Sequence, residues 1–471
     1  MIEKILLDDN GKDDRLKILE NGMTKYGCKP YPYPHLSYSS CTASTISLEA
    51  FTLVENFYKR FNKDNYINEF QNIRDDLRKI IGLKDDVDIV LASSGTDLEM
   101  IPYIFIPFYS KVKNIVIAPN EVGSGTMLAV EGRIFSNMDK KYGYKKGDRL
   151  EDFDKYNIEI TAIDIRNENG KIIDDEVVLR NIEKELIRDY NIVHLVYHSK
   201  TGLIKPNIDD FFKLITPNEK NIVVIDACQF RLSRESINEF LDKGCIVFIT
   251  GSKFFRGPTF SAAALIPSNL RDIAAFRKDI VRGLNVLFDR ELFPKRWKSI
   301  DEFKYGNNLG LLLRFKASIF EMQLFNSVSK DRIKDSIKIF NEVMMEIEKE
   351  YKDFVIYSDF LDTQNYDLLM SNSILTFGFK DKISFEESKK IYQKLISTDW
   401  LNDKFSYPIH LGQPVKVKKD NNKWLGSLRI ALSSNFFVNY SGKVKSVQKE
   451  MIYNEMKYIF EAIRYIRGKS A

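Results

Sequence analysis

The residues of this chain best equipped for chemistry stand in three short stretches. In ITGSKFFRGP, from Ile249 to Pro258, one lysine follows an apolar β-branched run and precedes a Gly-Pro turn. An ammonium there, Lys253, flanked by Thr250 and Ser252, is placed to attack a carbonyl once it loses its proton. In VVIDACQ, Asp226 ends a run of apolar residues, so its carboxylate starts near a buried environment and must find a cation or several donors. Capping the next helix would also satisfy it. In SSGT, Gly95 and Thr96 open a helix after a strand. Free backbone N–H groups and the positive end of a helix make such a turn an anion cradle, although a plain N-cap uses the same residues. Each stretch alone has an ordinary structural explanation. Together they offer a cradle for an anion, a carboxylate for a cationic nitrogen and an amine for a carbonyl.

The elements that must position them are strands. Seven short apolar runs follow one another through the first 267 residues: DIVLAS, NIVIAP, IEITAID, IVHLVYH, NIVVIDA, CIVFIT and SAAALIP. Between most of them lie turn signals or helical spacing, as in Glu176–Tyr190, where Val177, Leu179, Ile182 and Leu186 share a face. This alternation predicts an α/β fold, a seven-stranded, mainly parallel sheet sandwiched by helices over residues 47–289. Sheets of that kind bind ligands at the carboxyl ends of their strands, which puts the three stretches on one rim. Residues 1–46 are rich in Pro and Tyr and read as an extended arm over the core or over a partner subunit. Residues 290–312 read as a polar linker. Residues 313–471 read as a smaller α+β domain, with one long amphipathic helix over 309–351, strands in SNSILTFGF and GSLRIALSS, and a closing helix over 443–467.

Composition narrows the class. Lys plus Arg number 71 against 66 Asp plus Glu, and a net charge of +5 gives no reason to expect a nucleic-acid or membrane partner. The start lacks the order of a secretory signal, and no apolar run approaches the roughly 18 residues that span a bilayer. The four cysteines (Cys28, Cys41, Cys228, Cys245) show no CxxC spacing, and the four histidines are scattered, so no metal site is expected. A soluble cytoplasmic protein acting on a small molecule is the expectation.

Pyridoxal 5'-phosphate carries all three groups that the rim would complement. From SSGT through DACQ and TGSK to HLGQP and LRIAL, the chain resembles the fold type I pyridoxal-phosphate-dependent enzymes, in the class V aminotransferase branch with cysteine desulfurases and kynureninases. The resemblance implies that Lys253 forms the Schiff base with the cofactor. It implies that Asp226 pairs with the pyridine nitrogen and that Gln229 bonds the phenolic oxygen. Gly95, Thr96, Thr250 and Ser252 would hold or flank the phosphate. It also implies a homodimer with its site at a two-fold interface, where Asn307 and Asn308 would reach the partner's phosphate.

The departures bear on the reaction. Where many relatives stack an aromatic ring on the cofactor, APNEVGSGTMLA offers Val122; where many place an asparagine before a turn, YHSKTG offers His198 and Ser199. HLGQP resembles a desulfurase loop, with His410 and Gln413 toward substrate, but Leu411 replaces the persulfide-carrying cysteine and no cysteine follows Cys245. An isobutyl group cannot act as a thiol nucleophile, so sulfur transfer by that route is not expected. Arg429 would clamp a substrate carboxylate through paired hydrogen bonds, if it is not a strand-edge surface residue. Arg231 or Arg256 would take a second anionic group. An aminotransferase is favoured by fold analogy, with a lyase or β/γ-substitution enzyme as the alternative. A cofactor-binding regulator is a third class, disfavoured because residues 1–45 hold no pair of helices with a recognition face.

Overall fold

Buried, β-branched runs bounded by turns make the strands, and all seven predicted runs form one sheet. The computed structural model describes residues 2–8, 13–39, 44–137, 143–277, 279–358, 360–361 and 363–468, so Cys41 lies outside the described residues. The strands are β1 (Asp88–Ala92), β2 (Lys111–Ile117), β3 (Asn157–Ile163), β4 (Tyr190–Val196), β5 (Asn221–Asp226), β6 (Ile246–Thr250) and β7 (Ala262–Ile266). Their order is β1-β7-β6-β5-β4-β2-β3. All neighbours run parallel except β7, which is antiparallel to both β1 and β6. Two reversals cancel, so β1 ends on the same rim as β2, β4, β5 and β6. Strands β1, β6 and β7 are buried at every position, as a sheet covered on both faces requires.

A second, antiparallel sheet joins β8 (Phe354–Ile356), β9 (Ile374–Phe379) and β10 (Ser427–Ala431). The closing helix, Lys445–Ile466, packs on the helix Lys330–Glu350. The single long helix expected over 309–351 is two helices, Leu309–Phe325 and Lys330–Glu350. The side chain of Ser329 accepts from Arg332 N, and this local bond starts a new helix instead of continuing the old one. The first of the pair is not amphipathic either: Leu311, Leu312, Leu313, Arg314 and Phe315 are all buried, so it is enclosed on all sides. The helix expected over 176–190 stops at Glu185, because Tyr190 already belongs to β4.

The segment read as a polar linker is packed. Trp297 is fully buried, and its indole N–H donates to Asp88 Oδ2 at 2.6 Å, tying the segment to β1. The arm lies over its own chain and is not wholly extended. A short helix, Ile2–Leu6, packs on Leu313 and Ala317, and the strand Leu36–Tyr38 pairs in parallel with Ile409–Leu411. No helix among the described residues is long and apolar enough to cross a membrane.

Candidate functional site

Where the strands end, the sheet rim encloses a cavity of about 390 Å³. The turns after β1, β5 and β6 supply one wall. Gly95 sits so close to the turn after β5 that a Cβ there would lie 2.5 Å from Cys228 Sγ; only glycine lets the two turns meet. Ser94 N donates to Asp97 Oδ2 at 2.7 Å and fixes the start of the short helix Gly95–Leu98. Asp226 Oδ1 accepts from Cys228 N at 3.1 Å, and Thr250 Oγ1 donates to Cys228 O at 2.7 Å, so these neighbouring turns are locked together. Gln229 is buried and its Oε1 has no hydrogen-bond partner among the described residues. A buried acceptor without a donor is costly unless a ligand supplies one. Lys253 follows in the next turn, its carbonyl accepting from Ser44 Oγ at 3.3 Å.

Loops after β2 and β4 supply the opposite wall. Glu121 is buried, which alone would raise its pKa, yet the group is held below the usual carboxylate range. Arg166 Nε donates to it at 2.8 Å and Thr201 Oγ1 at 2.5 Å, and Ser199 Oγ donates as well. His198 takes a left-handed backbone conformation at φ 58°. Its Nε2 meets Asp367 O at 2.7 Å, while its buried Nδ1 has no partner. Burial lowers its pKa to about 4, so the ring is neutral at ordinary pH. Between these groups stands Lys200, whose pKa is lowered to about 8 by burial, then by the positive charges of Arg429 and Lys253. Glu99, which also lines the cavity, lies 2.8 Å from His194 Nδ1; burial raises the Glu99 pKa and the imidazole opposes that.

Of the residues singled out from sequence, the cavity brings together Gly95, Thr96, Val122, His198, Asp226, Gln229, Thr250, Ser252, Lys253, Gln413 and Arg429. Arg429 is not a surface residue. It is 2% exposed, with Nε donating to Gln413 O at 2.9 Å and Nη1 to Lys200 O at 2.8 Å. The others do not line this cavity. Ser199 is turned to Glu121. His410 is buried against Tyr33, whose hydroxyl lies 2.5 Å from its Nε2. Arg231 donates to Ser373 Oγ at 2.6 Å and lies over the Phe254 ring. Arg256 is half-buried, with Nη2 at 3.5 Å from Thr45 O. Asn308 accepts from Leu311 N at 2.9 Å and caps its own helix, and neither it nor Asn307 lines the cavity. Leu411 is fully buried and paired with Tyr38, so its side chain belongs to the core.

Several lining residues escaped the sequence reading. Arg15 of the arm donates to Ser94 Oγ at 3.1 Å and lies between the rings of Phe135 and Phe260. Tyr26 and Lys25 join it from the same arm, and Lys200 enters from HSKTG. Nothing local marks them: an arginine near the start of the chain and a loop lysine carry no motif.

No protein-family model and no curated protein sequence matches the chain. Solved structures do. A NifS-like protein from Rickettsia africae superposes with a TM-score of 0.55 at 14% identity, over 92% of this chain and 100% of that one. Ureidoglycine-glyoxylate aminotransferase from Bacillus subtilis gives 0.54 at 11% identity, over 93% and 99%. A C-DES mutant with glycine covalently linked to its pyridoxal-phosphate cofactor gives 0.53 at 10% identity, over 87% and 92%. The chain therefore has the fold of the fold type I pyridoxal-phosphate-dependent transferases, as its motifs implied. At these identities the likeness defines the fold.

Proposed function

We propose that the protein is a pyridoxal-phosphate-dependent enzyme acting on an amino acid or related amine, with Lys253 as the catalytic residue, and that its reaction is an aminotransfer. The observation that carries this reading is the convergence of Lys253, Asp226, Gln229, Gly95 and Thr96 on one cavity. The residues fit the cofactor. Gly95 and Thr96 line the cavity where the phosphate would sit, and Gln229 Oε1, without a hydrogen-bond partner among the described residues, marks a polar group open to a ligand. Thr96, Thr250 and Ser252 would complete the phosphate contacts.

Bound there, pyridoxal phosphate supplies an electron sink for negative charge at the substrate's α-carbon. The chain's residues do the rest. Lys253 holds the cofactor, then takes and returns the α-proton as general base and acid. Asp226 keeps a proton on the ring nitrogen by pairing with it. Arg429, its plane fixed by two backbone carbonyls, receives the substrate carboxylate, and neutral His198 and Val122 close the walls. A lyase or β/γ-substitution reaction would use the same groups and remains the alternative reading. Persulfide chemistry is not proposed, since Leu411 is buried and no cysteine follows Cys245. A C2 homodimer is proposed from the fold, with sedimentation as its test; a fully active monomer would refute it.

Borohydride reduction of the cofactor-loaded protein should fix the label on the peptide containing Lys253; a label on another lysine would sink the assignment. Stopped-flow absorbance against a panel of amino acids then separates the reactions. An amino form of the cofactor without added keto acid supports aminotransfer, whereas free ammonia with the starting spectrum restored supports elimination.

A further inference from the structure

The cavity around Lys253 adjoins a larger space of about 920 Å³ between the arm, the loop after β2 and the segments 385–399 and 413–416. Lys25, Tyr26, Val122, Ser124, Lys200 and Gln413 line both. An amino acid the size of alanine would leave this vestibule unfilled, and a space of several hundred cubic ångströms is the scale of a whole small-molecule site.

Its charge is one-sided. Lys25, Lys29, Lys200, Lys389 and Lys416 all line the vestibule, against one carboxylate there among the described residues, Asp399. That carboxylate is already engaged by Lys394 at 2.6 Å. Lys389 is paired with Glu386 at 2.9 Å and Lys25 with Asp14 at 3.5 Å. Among the described residues, Lys29, Lys200 and Lys416 have no carboxylate within ion-pair distance. Lys29 lies 4.4 Å over the Tyr33 ring and Lys416 lies 5.5 Å from the Phe385 ring. Uncompensated cations in a concave wall focus the field and draw an anion inward. At the neck, Lys200 is crowded by Arg429 and Lys253, and an incoming anion would relieve that repulsion.

We propose that the substrate is an amino compound with an anionic far end, a carboxylate or a phosphate, which passes Lys200 and lies in the vestibule against Lys29 and Lys416. This rests on the reading of Lys253 as the reacting amine. Lys200 is then the specificity-determining residue. Arg429 takes the carboxylate beside the reacting carbon, and the lysines take the distant charge.

The test uses the cofactor-loaded full chain and three probes of similar length: norleucine, 2-aminoadipate and 2-amino-5-phosphonopentanoate. Each is titrated while the cofactor's absorbance reports binding. At least one anionic probe should bind about tenfold or more tighter than norleucine, an advantage that fades with added salt. Whichever of the two wins identifies the anion. Lys200→Met should abolish most of the preference. The double variant Lys29→Ala/Lys416→Ala should reduce the preference by weakening the anionic probes more than norleucine. Norleucine binding as tightly as both anionic probes, or a preference that survives both variants, would overturn the proposal. If borohydride still labels Lys253 in that case, only this inference fails; a label elsewhere removes the reading beneath it as well.

Discussion

The two walls of the cavity are built in opposite ways. The wall after β1, β5 and β6 is made of short turns in which each polar group stands within a few residues of a strand end, held by backbone contacts such as Cys228 N to Asp226. The wall after β2 and β4 is a web of buried charges and dipoles from distant parts of the chain. There Glu121 gathers Arg166, Ser199 and Thr201, and His198 is tied to Asp367. Polar groups on the first wall keep capacity for a ligand, as Gln229 does. Those on the second largely satisfy one another. On the proposed reading the first wall would carry the chemistry, and the second would carry shape, rigidity and selectivity.

Substitutions can test that division. Lys253→Ala should cost several orders of magnitude in turnover while cofactor still binds without a covalent link, measured by single-turnover absorbance. Asp226→Asn should lower kcat/KM by about a hundredfold with a smaller loss of cofactor affinity; unchanged turnover would reduce Asp226 to a helix cap. On the second wall the expected loss is in stability. Glu121→Ala strands Arg166 and should cost about 3 kcal/mol in denaturant unfolding. Lys200 gives a pH signature. Its folded pKa of about 8 lies below the ordinary 10.5, so the unfolded chain binds more protons between those values. Stability should therefore rise as pH climbs from 8 to 10.5, and Lys200→Met should flatten that rise in urea midpoints. Smallest of all, Asn308→Ala removes a helix cap and should cost about 1 kcal/mol in denaturant unfolding.

The same contrast explains what could be read from sequence. All seven strands of the large sheet were legible as short apolar runs bounded by turns, the central ones buried throughout and the edge strand Asn157–Ile163 only in part. The residues of the first wall were legible because such a sheet delivers strand ends to one rim. Arg429 was visible as a motif, but its burial was not, since strand-edge and interior arginines look alike until the fold closes around them. Arg15 and Lys200 were invisible for the complementary reason: their environment comes from tertiary packing alone. The break between Leu309–Phe325 and Lys330–Glu350 hid inside a continuous helical pattern, where one serine's capping bond outweighed propensity. The packed segment around Trp297 was obscured by the polar residues beside it.

The arm has a consequence for how the site comes into being. Leu36 pairs with Ile409, and Arg15 with Ser94, so the arm's partners lie far along the chain. At a ribosomal pace of roughly 5–20 residues per second, the arm waits tens of seconds before the strand that anchors it exists. Until Ile409–Leu411 has been made, the strand Leu36–Tyr38 has no partner, so this part of the arm docks only after most of the chain is present. The wall that the arm contributes through Lys25 and Tyr26 is thus held by a pairing that spans most of the chain.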